Sequence, residues 1–94
     1  MKKDEILKVL IDKKDSFGIN SFILFGSFAR QNERSNSDID IAYILKDGCK
    51  LSFTQYLKLE NDLEKSFETK VDLVNYKRLN PLIKLHAKKD FIYV

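Results

Sequence analysis

The sequence is poor in the residues that staple, break or anchor a chain. It has one cysteine, one proline and one histidine among 94 residues, with three glycines. The lone cysteine, Cys49, excludes an internal disulfide framework and suits a reducing, cytoplasmic setting. No apolar run approaches the roughly 20 residues that cross a bilayer, so no membrane span is expected. Behind Met-Lys-Lys-Asp-Glu-Ile there is no apolar signal region. Repeats, linkers and low-complexity segments are missing as well. A strong charge of one sign is also lacking. Seventeen Lys and Arg against fourteen Asp and Glu give a net charge of +3. That balance suits anionic partners such as nucleotides but does not establish one. A nucleic-acid patch from Lys77, Arg78, Lys84, Lys88 and Lys89 is the minority reading against a solvated face.

What is present suffices for one small globular domain spanning 1–94. Seven Phe and an apolar fraction of 44% exclude a disordered chain. A chain of this length buries about 60–65% of its unfolded surface. Ile6, Leu7, Leu10 and Ile11 predict a helix over 3–16, ended by Gly18 and Asn20. Ser21–Phe25 predicts a short buried strand. Ser27 can cap a short helix from Phe28 to about Glu33, and 31–37 is polar and loop-like. Asp38–Leu45 predicts a second strand, with Asp38, Asp40 and Ala42 on one side and Ile39, Ile41 and Tyr43 on the other. A turn at 46–48 precedes a helix over 52–67, on which Tyr56, Leu59, Leu63 and Phe67 recur at helical spacing. Residues 69–76 predict a third strand, on which Asp72, Val74 and Tyr76 share a face. Asn80-Pro81 opens a helix to about Lys88. Residues 91–94 form a last edge strand or an ordered tail.

The helix between the second and third strands predicts a right-handed parallel βαβ unit. Asp38, Asp40 and Asp72 then gather near the starts of two parallel strands, Asp38 and Asp40 about 6.5–7 Å apart along the chain. An antiparallel first strand brings Gly26-Ser27 to the same edge. The expected fold is therefore α/β (α+β), a small mixed sheet flanked by helices. Gathered carboxylates repel one another unless cations neutralise them. Hard cations such as Mg²⁺ take oxygen ligands, and two of them about 3.5–4 Å apart can assist an in-line nucleotidyl displacement. Glycine lets backbone approach a phosphate, and helix N–H groups point at the anion. Each element also has a structural reading. Asp38 and Asp40 can be solvated acids at a capped strand start, Asp72 can face solvent or pair with Lys70, and Gly26-Ser27 can be only a turn. Arg30 can be a salt-bridge partner, and Ser37 a loop cap. His86 has no partner motif and reads as a surface or packing residue. Cys49 has no metal-ligand companion. Tyr56 and Tyr76 fall at core spacing, with base stacking as the alternative.

Gly26-Ser27-Phe28-Ala29-Arg30 and Ser37-Asp38-Ile39-Asp40 resemble the Gly-Ser-x-Ala-Arg and Ser-Asp-x-Asp blocks of the minimal nucleotidyltransferases, members of the DNA polymerase β-like nucleotidyltransferase superfamily. Val71-Asp72-Leu73-Val74 resembles the strand that carries the family's third acid. The likeness extends over nearly the whole chain. It implies the polymerase β-like fold and a Mg²⁺-dependent enzyme with ATP as substrate. Gly26 and Ser27 would hold the triphosphate, with Arg30 and Ser37 beside it. Asp38 and Asp40 would bind both metal ions, and Asp72 would complete the catalytic metal site and help activate the acceptor hydroxyl. Where the family often has Gly after the Arg, this chain has Gln31. Proteins of this kind are often encoded beside a HEPN-domain partner in a toxin–antitoxin pair. The resemblance implies an antitoxin that transfers AMP from ATP to a tyrosine hydroxyl of the HEPN toxin. The alternative is an inactive antitoxin that neutralises its partner by contact alone. Transfer to a small molecule is less favoured, because no added domain for holding one is evident.

Overall fold

The structure, a computed structural model, describes residues 3–25, 39–87 and 91–94. Helix α1 (Lys3–Phe17) leads into strand β1 (Ile19–Phe25). Strand β2 (Ile39–Leu45), helix α2 (Phe53–Phe67) and strand β3 (Val71–Asn75) follow. A 3₁₀ turn at Tyr76–Arg78, helix α3 (Pro81–Ala87) and the short strand β4 (Ile92–Tyr93) complete the order. The sheet runs β3-β2-β1-β4. β1 is antiparallel to both of its neighbours, and β2 is parallel to β3. This is the mixed sheet that the spacing predicts, and residues 91–94 contribute its edge strand. The predicted helix from Phe28 to Glu33 lies outside the described residues.

Strand alternation gives the sheet two different faces. Ile39, Ile41 and Tyr43 of β2, with Val71 and Leu73 of β3, face α1 and α2. There they meet Ile6 and Leu10 of α1 and Leu59, Leu63 and Phe67 of α2 in the main core. A fully buried Leu such as Leu63 stabilises by about 1.5–3 kcal/mol. Among the described residues the other face is covered more thinly, by Leu79 and Phe91 over Ile23, Phe25 and Ala42. Phe91 meets Phe25 edge-on, with ring centroids 5.9 Å apart.

Local chemistry fixes the boundaries. Gly18 stands just past α1 with φ +65°, the left-handed stop that glycine supplies without a Cβ penalty. Strand β1 begins at Ile19 rather than Ser21, and a register irregularity between Ile19 and Ser21 accommodates Asn20. Asn20 therefore does not end the helix but belongs to the strand. Ser52 caps α2 through a reciprocal pair with Gln55. The Gln55 N–H donates to Ser52 Oγ at 3.2 Å, and the Ser52 N–H donates to Gln55 Oε1 at 3.1 Å. Strand β3 is shorter than the predicted 69–76. Glu68 turns left-handed after α2 at φ 55°, and Asn75 Oδ1 accepts the Lys77 N–H at 3.0 Å, which diverts the chain into the 3₁₀ turn. Asn80 Oδ1 accepts the Leu82 N–H at 2.8 Å at the start of α3.

Leu63→Ala leaves a cavity where α2 meets the sheet. It should lower unfolding free energy by about 2–5 kcal/mol in urea titration. A loss below about 0.5 kcal/mol would remove Leu63 from the core.

Candidate functional site

The β2–β3 ladder sets Asp40 opposite Asp72. Register partners in a parallel pair point to the same face, and neighbouring strands lie about 4.8 Å apart. The face is the thinly covered one, since Ala42 and Val74, two residues further along each strand, pack into the smaller cluster. Asp72 is exposed and Asp40 half-buried. The end of β1 closes the other side of Asp40, because Phe25 is its antiparallel partner. Gly26 follows Phe25 directly in the chain. The structure thus brings together Asp40 and Asp72 of the residues that the sequence singles out. Gly26, Ser27, Arg30, Ser37 and Asp38 lie outside the described residues.

Two hydrogen bonds hold the strand starts in this register. The Ile39 N–H donates to the Lys70 carbonyl at 3.0 Å. The Val71 N–H donates to Glu64 Oε2 at 3.0 Å, so α2 itself anchors the residue before Asp72. No sequence pattern announces Glu64. It lies on α2, seven residues before the strand that it secures. Among the described residues no cation is paired with Asp72, and the Lys70 pairing is not formed.

No set of three His, Cys, Asp or Glu side chains gathers among the described residues. Asp40 and Asp72 supply oxygen donors on adjacent strands, on the face that the described residues cover more thinly. That donor set suits a hard divalent cation that keeps several waters and shares phosphate oxygens.

Tyr56 supports the site from beneath the sheet. Its hydroxyl donates to the Leu73 carbonyl, one residue past Asp72. Burial, with the negative charge of Glu60 second, pushes the Tyr56 phenol up to about 12. Burial also raises Tyr43, opposed by Arg78. The ring of Tyr56 lies against Tyr43, with centroids 6.4 Å apart, so Tyr56 is a packing residue with a polar tether.

A family model described as polymerase beta, nucleotidyltransferase matches residues 4–94. The chain belongs to that nucleotidyltransferase family. It is similar to two Methanocaldococcus jannaschii proteins provisionally named protein adenylyltransferases. One is 42% identical over 82 residues, covering 86% of this chain and 82% of that protein. The other is 32% identical over 93 residues, covering 98% and 93%. Among solved structures, one of a minimal nucleotidyltransferase superposes with TM-score 0.73 at 25% identity, covering 90% of this chain and 85% of that one. A chain from a toxin–antitoxin structure with AMP-PNP superposes with TM-score 0.66 at 28% identity. The match covers 88% of this chain and 64% of that one, less than two thirds of its length. A complex of a tri-AMPylated Shewanella oneidensis HEPN toxin with an MNT antitoxin shares the fold, with TM-score 0.69, 21% identity and coverage of 99% and 71%.

The raised Tyr56 phenol makes stability pH-dependent in a definite direction. An unfolded tyrosine ionises near pH 10, while the folded one resists until about 12. The unfolded state therefore binds fewer protons in that window, and stability falls as pH rises through it. Tyr56→Phe should flatten part of this fall and cost about 1 kcal/mol at neutral pH, because the Leu73 carbonyl loses its donor. Urea titrations of both proteins at neutral pH and across the window measure this. Parallel curves would show that Tyr56 does not contribute.

Proposed function

We propose that this chain is a Mg²⁺-dependent protein adenylyltransferase that moves AMP from ATP to a tyrosine hydroxyl of a HEPN toxin and thereby acts as its antitoxin. The observation that carries the reading is the register that sets Asp40 beside Asp72 on one face of the sheet. Support comes also from the provisional names of the M. jannaschii relatives and from the AMP-PNP-bound toxin–antitoxin neighbour. The AMPylated HEPN toxin complex supplies a precedent on the same fold.

In this reading the acceptor oxygen attacks the α-phosphorus of ATP. The α-phosphorus–oxygen bond to the β-phosphate breaks, and pyrophosphate leaves with the electron pair. Asp72 takes the acceptor's proton. Asp38, Asp40 and Asp72 would hold the cations, which would offset the charge of the triphosphate and the charge developing on the entering and leaving oxygens. Gly26 and Ser27 cradle the phosphates through backbone N–H groups, and Arg30 and Ser37 brace the loop or meet a phosphate. A protein acceptor brings its own binding surface. No helix among the described residues is long and apolar enough to cross a membrane. A reducing, cytoplasmic setting suits the lone Cys49 thiol.

ATP labelled at the α- or the γ-phosphate, mixed with Mg²⁺, this protein and a HEPN partner encoded nearby, tests the proposal. Label should pass to the partner's tyrosine from the α position only. Asp40→Asn and Asp72→Asn should each slow transfer at least about a hundredfold, equivalent to about 2.7 kcal/mol. Asp72→Asn should leave the melting temperature unchanged or higher, because Asp72 is exposed. Neutralisation at full strength with no label from either position would favour the contact-only antitoxin. Wild-type turnover by either variant would refute the site.

A further inference from the structure

A concavity lies at the opposite end of the sheet from Asp40 and Asp72. It has a volume of about 510 Å³, within the usual range for a small-molecule pocket. Its walls are the turn after β2, the 3₁₀ turn and α3. Lys46, Lys77 and Lys84 line it, with Asp47 the single acid among its lining residues. Four residue steps along β2 separate Asp40 from Ile44, and three along β3 separate Asp72 from Asn75, roughly 13 Å and 10 Å at strand rise to these lining residues.

The three lysines come from three separate segments, so the convergence is tertiary rather than a run of charge. Lys84 Nζ lies 4.4 Å from the Tyr76 ring centroid, a cation–π contact that holds the ammonium at the wall. Lys46 Nζ reaches Asp15 at 3.4 Å, but that carboxylate is 95% exposed. Such an exposed pair is weak and yields readily to a better anion. Lysine side chains that line a concave wall can turn their ammonium groups to an anion and bind phosphate as point charges. The same geometry disfavours base stacking, because Lys84 already occupies a face of Tyr76.

We propose that this concavity binds an oligophosphate group, either free or carried by a nucleoside, at a site separate from the Asp40–Asp72 edge. The inference stands on the lysine cluster and does not depend on the adenylyltransferase reading.

Cys49 provides the assay, because it is the chain's only thiol, is exposed and lines the pocket. Its alkylation by iodoacetamide would be followed by mass spectrometry in low salt with EDTA, with inorganic tripolyphosphate or ATP added. Either anion should slow the reaction about threefold or more, and added salt should reverse the effect. Stronger protection by ATP would assign the nucleoside-carried form. Equal protection would assign the phosphate group alone. In Lys77→Ala/Lys84→Ala, with folding checked by circular dichroism, the required anion concentration should rise about tenfold. In Asp40→Asn/Asp72→Asn the protection should persist. Absence of protection by both anions, equal protection in the lysine variant, or loss of protection in the aspartate variant would overturn the proposal. Protection by an oligonucleotide alone would also overturn it, in favour of a nucleic-acid surface.

Discussion

The register of one parallel strand pair governs this molecule. A slip of one residue between β2 and β3 would take either Asp40 or Asp72 off their shared face and turn it into the main core. The core prevents that slip, because Ile39, Ile41, Val71 and Leu73 are buried against the two long helices. Burial of these apolar side chains therefore holds the carboxylates in place. Glu64 adds a directional tie by accepting the Val71 N–H, and Lys70 accepts the Ile39 N–H. The family match over residues 4–94 and this arrangement agree on a nucleotidyltransferase scaffold.

Much of that scaffold was legible in the residues. Leu59, Leu63 and Phe67 at helical spacing located α2 and its buried stripe. The length of α2 then required a crossover, which made β2 and β3 parallel and placed Asp40 beside Asp72. Boundaries were less legible where side chains compete with backbone ladders. Asn75 shortens β3 by accepting the Lys77 N–H, and the irregularity near Asn20 lets β1 begin early. Contacts between distant segments left no pattern at all. Neither the Glu64–Val71 bond nor the Tyr56–Leu73 bond follows from periodicity, because each joins groups brought together only by folding. The phosphate-loop and metal roles expected of Gly26, Ser27, Arg30, Ser37 and Asp38 rest on the motif and belong to the proposal.

The two ends of the sheet carry opposite chemistry. Carboxylates mark the starts of β2 and β3, whereas Lys46, Lys77 and Lys84 are among the residues lining the concavity at their far end. A net charge of +3 conceals this polarity, since composition averages over positions that the fold separates. Lys77 and Lys84 belong to the basic segment that the sequence shows, but only the fold adds Lys46 to them. The apolar residues exposed on α3, Leu82 and Leu85, add a surface of a different character beside the basic pocket.

The central claim is that Asp40 and Asp72 share one cation-binding face. Paramagnetic relaxation by Mn²⁺, added with a non-hydrolysable ATP analogue to isotope-labelled protein, tests it most directly. The amides of Asp40 and Asp72 should broaden together at low Mn²⁺, and Asp40→Asn or Asp72→Asn should each weaken the broadening at both positions. Broadening centred elsewhere, or confined to one strand and indifferent to the other aspartate, would contradict the account.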